Sequence, residues 1–263
     1  MIIVGELINM TRKPVEQAWK ARDEEAIASL ARTQAEAGAD YIDVNSGVPG
    51  EEADCMAWLV DVVQKEVDLP LSIDTSHPEA LGKALERVQK APLVNSVSAE
   101  EERWSSFLPR LKGVPCRVVG LLVGDGGLPK TIQDRLDNAA FLMEKFGEAG
   151  FADEDVFFDP CVMPISTDPA AGAELLDAMR ELEKKWPATH RIAAVSNVSF
   201  GLPVRSLLNR SFLGLAMAAG LDAAILNPMD KGMIQALRAV DALLGKDEYC
   251  REYLQGYRKG VLT

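Results

Sequence analysis

Acidic and amide side chains recur at the ends of short apolar runs: Glu6 and Asn9, Asp43 and Asn45, Asp74, Asn95, Asp159, Asn197 and Asn227. No Lys, Arg or His shares those run ends. A phosphate or carboxylate ligand needs cations or a glycine-rich nest of N–H groups, so this set suits neither. It suits a neutral, planar molecule rich in N–H donors. The 2-amino-4-oxo-pyrimidine edge of guanine or a pterin presents N–H and NH2 side by side, and one carboxylate accepts both. Asn supplies a donor and an acceptor for the carbonyl and the remaining ring nitrogens. Oxygen-rich sites also hold magnesium or calcium, but the amide-rich mixture and the lack of a tight Asp/Glu cluster point to no bound metal. Taken singly, each Asp or Asn could instead cap the helix that follows it. Asp74 and Asp159 are the hardest to explain that way, since each follows an apolar strand (LSI and VFF).

Covalent chemistry finds little support. The two histidines are His77, which opens a helix beside Pro78, and His190, which precedes a strand at the opposite end. Both are expected at the surface. No GxSxG elbow and no lysine in a Schiff-base setting is present. The four cysteines, Cys55, Cys116, Cys161 and Cys250, form no CxxC or Cys/His cluster and read as reduced thiols, mostly packed as small hydrophobes. Positioning and hydrogen bonding remain.

The elements that must place these side chains repeat along the chain. Candidate strands fall at 2–7, 41–45, 70–75, 93–98, 116–123, 155–160, 191–199 and 222–228. Several are near-continuous apolar runs, as in parallel strands buried on both faces. Helical stripes lie between them: Leu81, Ala84, Leu85 and Val88, and Met56, Leu59, Val60, Val63 and Val67. Ser76-x-x-Glu79 has the form of a capping box. Gly38 and Gly220 close helices just before the second and eighth strands. Eight β-then-α units without a linker predict one closed (β/α)8 TIM barrel over residues 1–263, with the polar run ends gathered at its C-terminal mouth. An open doubly wound sheet is the alternative, but the turn Gly5-Glu6-Leu7-Ile8-Asn9 lacks the GxGxxG fingerprint.

Composition bounds the partners. With 28 Lys and Arg against 40 Asp and Glu, the net charge is −12, which argues against nucleic acid and anionic membrane surfaces. No apolar run nears the ~20 residues of a membrane span. The first residues lack a basic, signal-like region. A cytoplasmic protein is expected.

Taken in order, Gly5-Glu6, Asp43-Val44-Asn45, Ser72-Ile73-Asp74-Thr75, Asn95-Ser96, Phe158-Asp159-Pro160, Ser196-Asn197-Val198-Ser199-Phe200-Gly201-Leu202-Pro203-Val204-Arg205, Leu208-Asn209-Arg210 and Gly220-Leu221-Asp222 resemble the pterin-binding methyltransferases. These are the methyltetrahydrofolate–corrinoid protein methyltransferases and the folate barrel of cobalamin-dependent methionine synthase. The resemblance implies a barrel, often a homodimer, that binds tetrahydrofolate or 5-methyltetrahydrofolate at its mouth. Methyl then passes between N5 of the folate and the cobalt of a corrinoid. By that resemblance Asp74, Asn95 and Asp159 hold the pterin, with Glu6, Asp43 and Asn45 beside them. Asn197 would be the catalytic contact to N5, with Ser196 and Arg205 in its network. Leu7 stands where the acetogenic branch has Arg. No DxHxxG motif for carrying cobalamin is found, so the corrinoid is expected on a partner corrinoid protein. The rival readings are a dihydropteroate synthase-like enzyme, which would want a Ser-Arg-Lys-type segment where Ser196-Asn197-Val198 stands, and a non-catalytic folate-binding or docking subunit.

Overall fold

A computed structural model describes residues 1–262; Thr263, the last residue of the expected unit, lies outside them. Eight parallel strands close into a barrel in chain order. They are β1 (Ile2–Asn9), β2 (Tyr41–Asn45), β3 (Leu71–Asp74), β4 (Leu93–Ala99), β5 (Arg117–Gly124), β6 (Val156–Asp159), β7 (His190–Ala194) and β8 (Ala223–Leu226). The helices are α1 (Lys13–Ala21), α2 (Glu24–Glu36), α3 (Glu52–Glu66), α4 (Pro78–Leu85), α5 (Glu101–Leu111), α6 (Ile132–Ala149), α7 (Ala171–Lys185), α8 (Arg205–Ala218), α9 (Lys231–Leu243) and α10 (Arg251–Arg258). Strand β1 pairs with both β2 and β8, which closes the ring and excludes the open sheet. Among the described residues no helix is long and apolar enough to cross a membrane.

Successive side chains of a strand point to opposite faces, so each strand feeds two cores. Ile42, Val44, Ile73, Val94, Val118 and Phe158 pack outward under the helices. Val4, Tyr41, Leu93, Val119, Phe157, Ile192, Ala223 and Ile225 form a separate cluster that fills the lower barrel. Two residues above Tyr41, Leu93 and Phe157, on the same inward face, stand Asp43, Asn95 and Asp159. The plug ends where the polar residues begin.

Strand β1 needs a local device. Its register against β2 slips between Gly5 and Ile8, and the bulge contains Glu6 and Leu7. The wholly buried Gln34 of α2 fills the gap, its Oε1 accepting from the Leu7 N–H at 2.9 Å. Gly5 makes room for that amide, since a Cβ there would lie 2.6 Å from Oε1. Gly5→Ala is therefore expected to lower stability by about 1–3 kcal/mol through overpacking. A urea midpoint equal to wild type would show that Gln34 swings aside freely.

Three expectations need correction. The expected strand 191–199 stops at Ala194, and Val195–Ser199 forms a 3-10 turn. Ser and Asn side chains compete with a strand ladder for backbone groups, and Ser199 Oγ donates to the Ser196 carbonyl. The Ser76–Glu79 box does not form. Pro78 sets the first helical position, which puts the cap on His77, without a side-chain bond. His190 is not a free surface residue: its ring stacks on Phe157 and its Nδ1 lies 2.8 Å from Asp222 Oδ2. Gly38 and Gly220 do adopt the left-handed conformation, at φ +94° and +103°.

Candidate active site

Inward alternation and the closed ring gather Asp43, Asn45, Asp74 and Asn95 into contact at the mouth. Asp43 is buried and accepts from Ser72 Oγ at 2.7 Å, with Asn95 Nδ2 at 3.4 Å from the same oxygen. Asn45 Nδ2 donates to Asp74 Oδ2 at 2.8 Å. Ser72, part of the Ser72-Ile73-Asp74-Thr75 motif but not among the expected site residues, lies two residues before Asp74 on the same inward face. Burial, and then the charge of Asp74, push the Asp43 carboxyl well above the usual carboxylate range. Asp74 is raised by burial, opposed by the Asn45 bond and by Arg103. Glu6 is raised by burial and opposed by Arg12 and Arg205. Three arginines thus lie close to the mouth, which the run ends alone did not show. Each comes from a loop or helix beyond the strand.

Asp159 closes the ring on the β6 side. Its Oδ1 accepts the Cys161 N–H at 2.8 Å, and burial lifts its carboxyl to about 6 despite that bond. A ligand that donates two N–H groups needs this carboxylate ionised. The affinity of such a ligand is therefore expected to be level above pH ~6 and to fall about tenfold per pH unit below it, as protonation removes an acceptor. Binding titrations across this range check it. A flat profile in the wild-type protein would remove Asp159 from the binding group.

Asn197 stands in the 3-10 turn above β7, exposed, and among the described residues its side-chain amide has no hydrogen bond. The turn is fixed without it. Arg205 Nε donates to Ser199 Oγ at 3.0 Å and Arg205 Nη2 to the Ser196 carbonyl at 2.7 Å. From the β6–α7 loop, Ser166 Oγ donates to the Phe200 carbonyl at 2.7 Å and the Ile165 N–H to the Val198 carbonyl at 3.0 Å. Two other run-end residues are turn formers: Asn9 Oδ1 accepts from Thr11 and Asn227 Oδ1 from the Met229 N–H. For these two the helix-and-turn explanation suffices. Among the described residues no group of three or more His, Cys, Asp or Glu is gathered as for a metal ion.

Residues 5–227, from the first strand to the last, match the model of the family described as pterin binding enzyme. The chain belongs to the pterin-binding enzyme family. Within it, the chain is 35% identical to the methylcorrinoid:tetrahydrofolate methyltransferase of Eubacterium limosum, over the whole chain and 98% of that protein. It is 28% identical to the methionine synthase of Mycobacterium tuberculosis across 86% of the chain, which corresponds to 20% of that larger protein. Dihydropteroate synthase from Clostridium difficile, solved in the presence of pteroic acid, superimposes with a TM-score of 0.73 over 92% of this chain and 96% of that one, at 20% identity. The enzyme from Yersinia pestis gives 0.72 at 15% identity, over 93% of this chain and 94% of that one. These two likenesses show the shared barrel fold.

Proposed function

We propose that this pterin-binding enzyme is a methyltransferase that moves a methyl group between a corrinoid, carried by a partner protein, and N5 of tetrahydrofolate. The observation that carries the reading is the end-to-end similarity to the Eubacterium limosum methyltransferase. The mouth supports it chemically. Asp159 and Asp74 offer carboxylate oxygens to the N–H groups of the pterin edge, and Asn95 offers a donor and an acceptor beside them. Asp43, itself held by the Ser72 hydroxyl, accepts from the Asn95 amide. Asn45 and Glu6 complete the polar wall.

The corrinoid supplies the methyl group, carried on cobalt. Transfer to folate leaves N5 as the nucleophile, and its lone pair must face the incoming carbon. Asn197 Oδ1 accepts the N5–H bond and so fixes that direction. As N5 gains positive charge its proton becomes a stronger donor, and the bond to Asn197 strengthens toward the transition state. After transfer the N5 proton passes to solvent. In the reverse direction N5 of 5-methyltetrahydrofolate is first protonated from solvent, its N5–H donates to the same Asn197 Oδ1, and N5 leaves with the bonding electron pair as a neutral amine. An amide serves both without titrating. Arg205 and Ser196 hold its turn in place.

The chain acts as one barrel domain over residues 1–263, in the cytoplasm, and pairs with a second copy. Support for pairing comes from exposed apolar residues on adjoining helices: Leu215 of α8, Leu243 of α9 and Tyr257 of α10. The test of the function is direct. With methylcobalamin and tetrahydrofolate, the protein should produce 5-methyltetrahydrofolate and spend the methylcobalamin spectrum. Tight tetrahydrofolate binding with no turnover would leave a binding subunit instead.

A further inference from the structure

Arg135 of α6 is 2% exposed, the largest of the fully buried side chains. Burying a guanidinium is costly unless hydrogen bonds and charge compensate it. The titratable groups that face it are the Cys161 thiol, Glu174 of α7 and Asp134 on its own helix. Its hydrogen bonds go to carbonyls. Nε donates to the Pro160 carbonyl at 2.8 Å, and Nη1 to the Thr131 carbonyl at 3.1 Å. Thr131 is the capped start of α6, held by a reciprocal capping box with Asp134. Pro160 is the residue directly after Asp159. One guanidinium therefore ties a fixed helix end to the turn that follows β6.

That turn is strained. Cys161 has φ +64°, a left-handed conformation that costs a residue with a Cβ about 1 kcal/mol or more. In that conformation its N–H reaches back to Asp159 Oδ1. Without a tether on the Pro160 carbonyl, the turn would relax and the N–H would leave the carboxylate.

We propose that Arg135 is a positioning residue for Asp159. By holding the Pro160 carbonyl it keeps Cys161 turned so that its N–H fixes the orientation of the carboxylate through one lone pair of Oδ1, leaving both oxygens able to accept from the ligand. The inference rests on the reading of Asp159 as a pterin acceptor. It acts through the turn, since the groups that set the Asp159 carboxyl are its burial and the Cys161 N–H, with no contribution from the guanidinium. The neighbouring Cys161 thiol, pushed up to about 11 by burial, stays neutral throughout the range of interest.

Arg135→Met and Arg135→Lys test it, with tetrahydrofolate titrated calorimetrically between pH 5 and 8 and single-turnover methyl transfer at saturating folate. Arg135→Met should raise the Kd about tenfold, as loss of one aligned charge-assisted contact implies. The pH midpoint of binding should also move up, because the bond that favours the ionised Asp159 is lost. The rate at saturation should stay within about threefold. Arg135→Lys keeps a cation able to reach one carbonyl and should recover part of both effects. A merely structural role would lower the folded fraction without moving the pH midpoint. Wild-type Kd and midpoint in a folded Arg135→Met protein would overturn the proposal. If that variant does not fold, wild-type Kd and midpoint in Arg135→Lys would overturn it instead, and raised values of both would support it. Asp159→Asn separates the two levels: should it bind tetrahydrofolate as wild type does, the pterin reading of Asp159 fails whatever Arg135 does.

Discussion

Asp159→Ala is expected to weaken tetrahydrofolate binding at least ~30-fold while leaving the fold intact. The reasoning is one of unpaired donors. The variant leaves two pterin N–H groups in a buried place without an acceptor, and each costs about 1–3 kcal/mol. The lower bound of about 2 kcal/mol already corresponds to ~30-fold in Kd. The protein itself loses only the Cys161 N–H contact at 2.8 Å and a carboxylate that burial holds near 6, which is a strained group. Asp159→Asn should be intermediate, because an amide offers one acceptor where two are needed. Calorimetry at pH 7.5 reads the effect, and unchanged affinity in the alanine variant would remove the residue from the pocket.

For Asn197 the expected loss falls on the rate. Asn197→Ala should lower single-turnover methyl transfer at saturating folate on the order of 10²-fold, by comparison with other preorganised hydrogen bonds to developing charge. Folate affinity should change much less. An interaction that strengthens toward the transition state shows in the rate constant, whereas uniform binding shows in KM. The alternative role, a cap for the turn into the Gly201–Pro203 loop, finds no contact to work through. The Asn197 side chain makes no hydrogen bond among the described residues, and the turn is tied down by Arg205, Ser166 and Ile165. Its removal should therefore shift the unfolding midpoint little. A wild-type rate in the folded variant would show that the amide does nothing at N5.

Much of this arrangement was legible in the amino acids. The barrel followed from eight apolar runs, because a parallel strand buried on both faces leaves no other pattern. The position of Asp43, Asn95 and Asp159 above the apolar plug is the same period of two carried one step further, from Tyr41, Leu93 and Phe157. The Val195–Ser199 turn was hidden, since it continues the apolar β7 run and carries two β-branched valines that also suit a strand; only the Ser and Asn side chains argue otherwise. Arg135 carried a quieter signal. With Ile132, Leu136 and Ala139 it falls on one helical stripe, and an arginine on an apolar stripe must find buried carbonyls or carboxylates. Gln34 gave none, because its partner is a backbone N–H freed by a bulge in a distant strand. Arg12 and Arg103 gave no signal for a similar reason: they reach the mouth from outside the strand ends, and only the resemblance pointed to Arg205.

A crystal structure of the protein with tetrahydrofolate tests the central claim most directly. The 2-amino and N3 edge of the pterin should lie on Asp159, with Asp74 and Asn95 beside it, and N5 within hydrogen-bond distance of the Asn197 amide. A pterin bound at the mouth with N5 turned away from Asn197, or held by residues other than Asp74, Asn95 and Asp159, would contradict it.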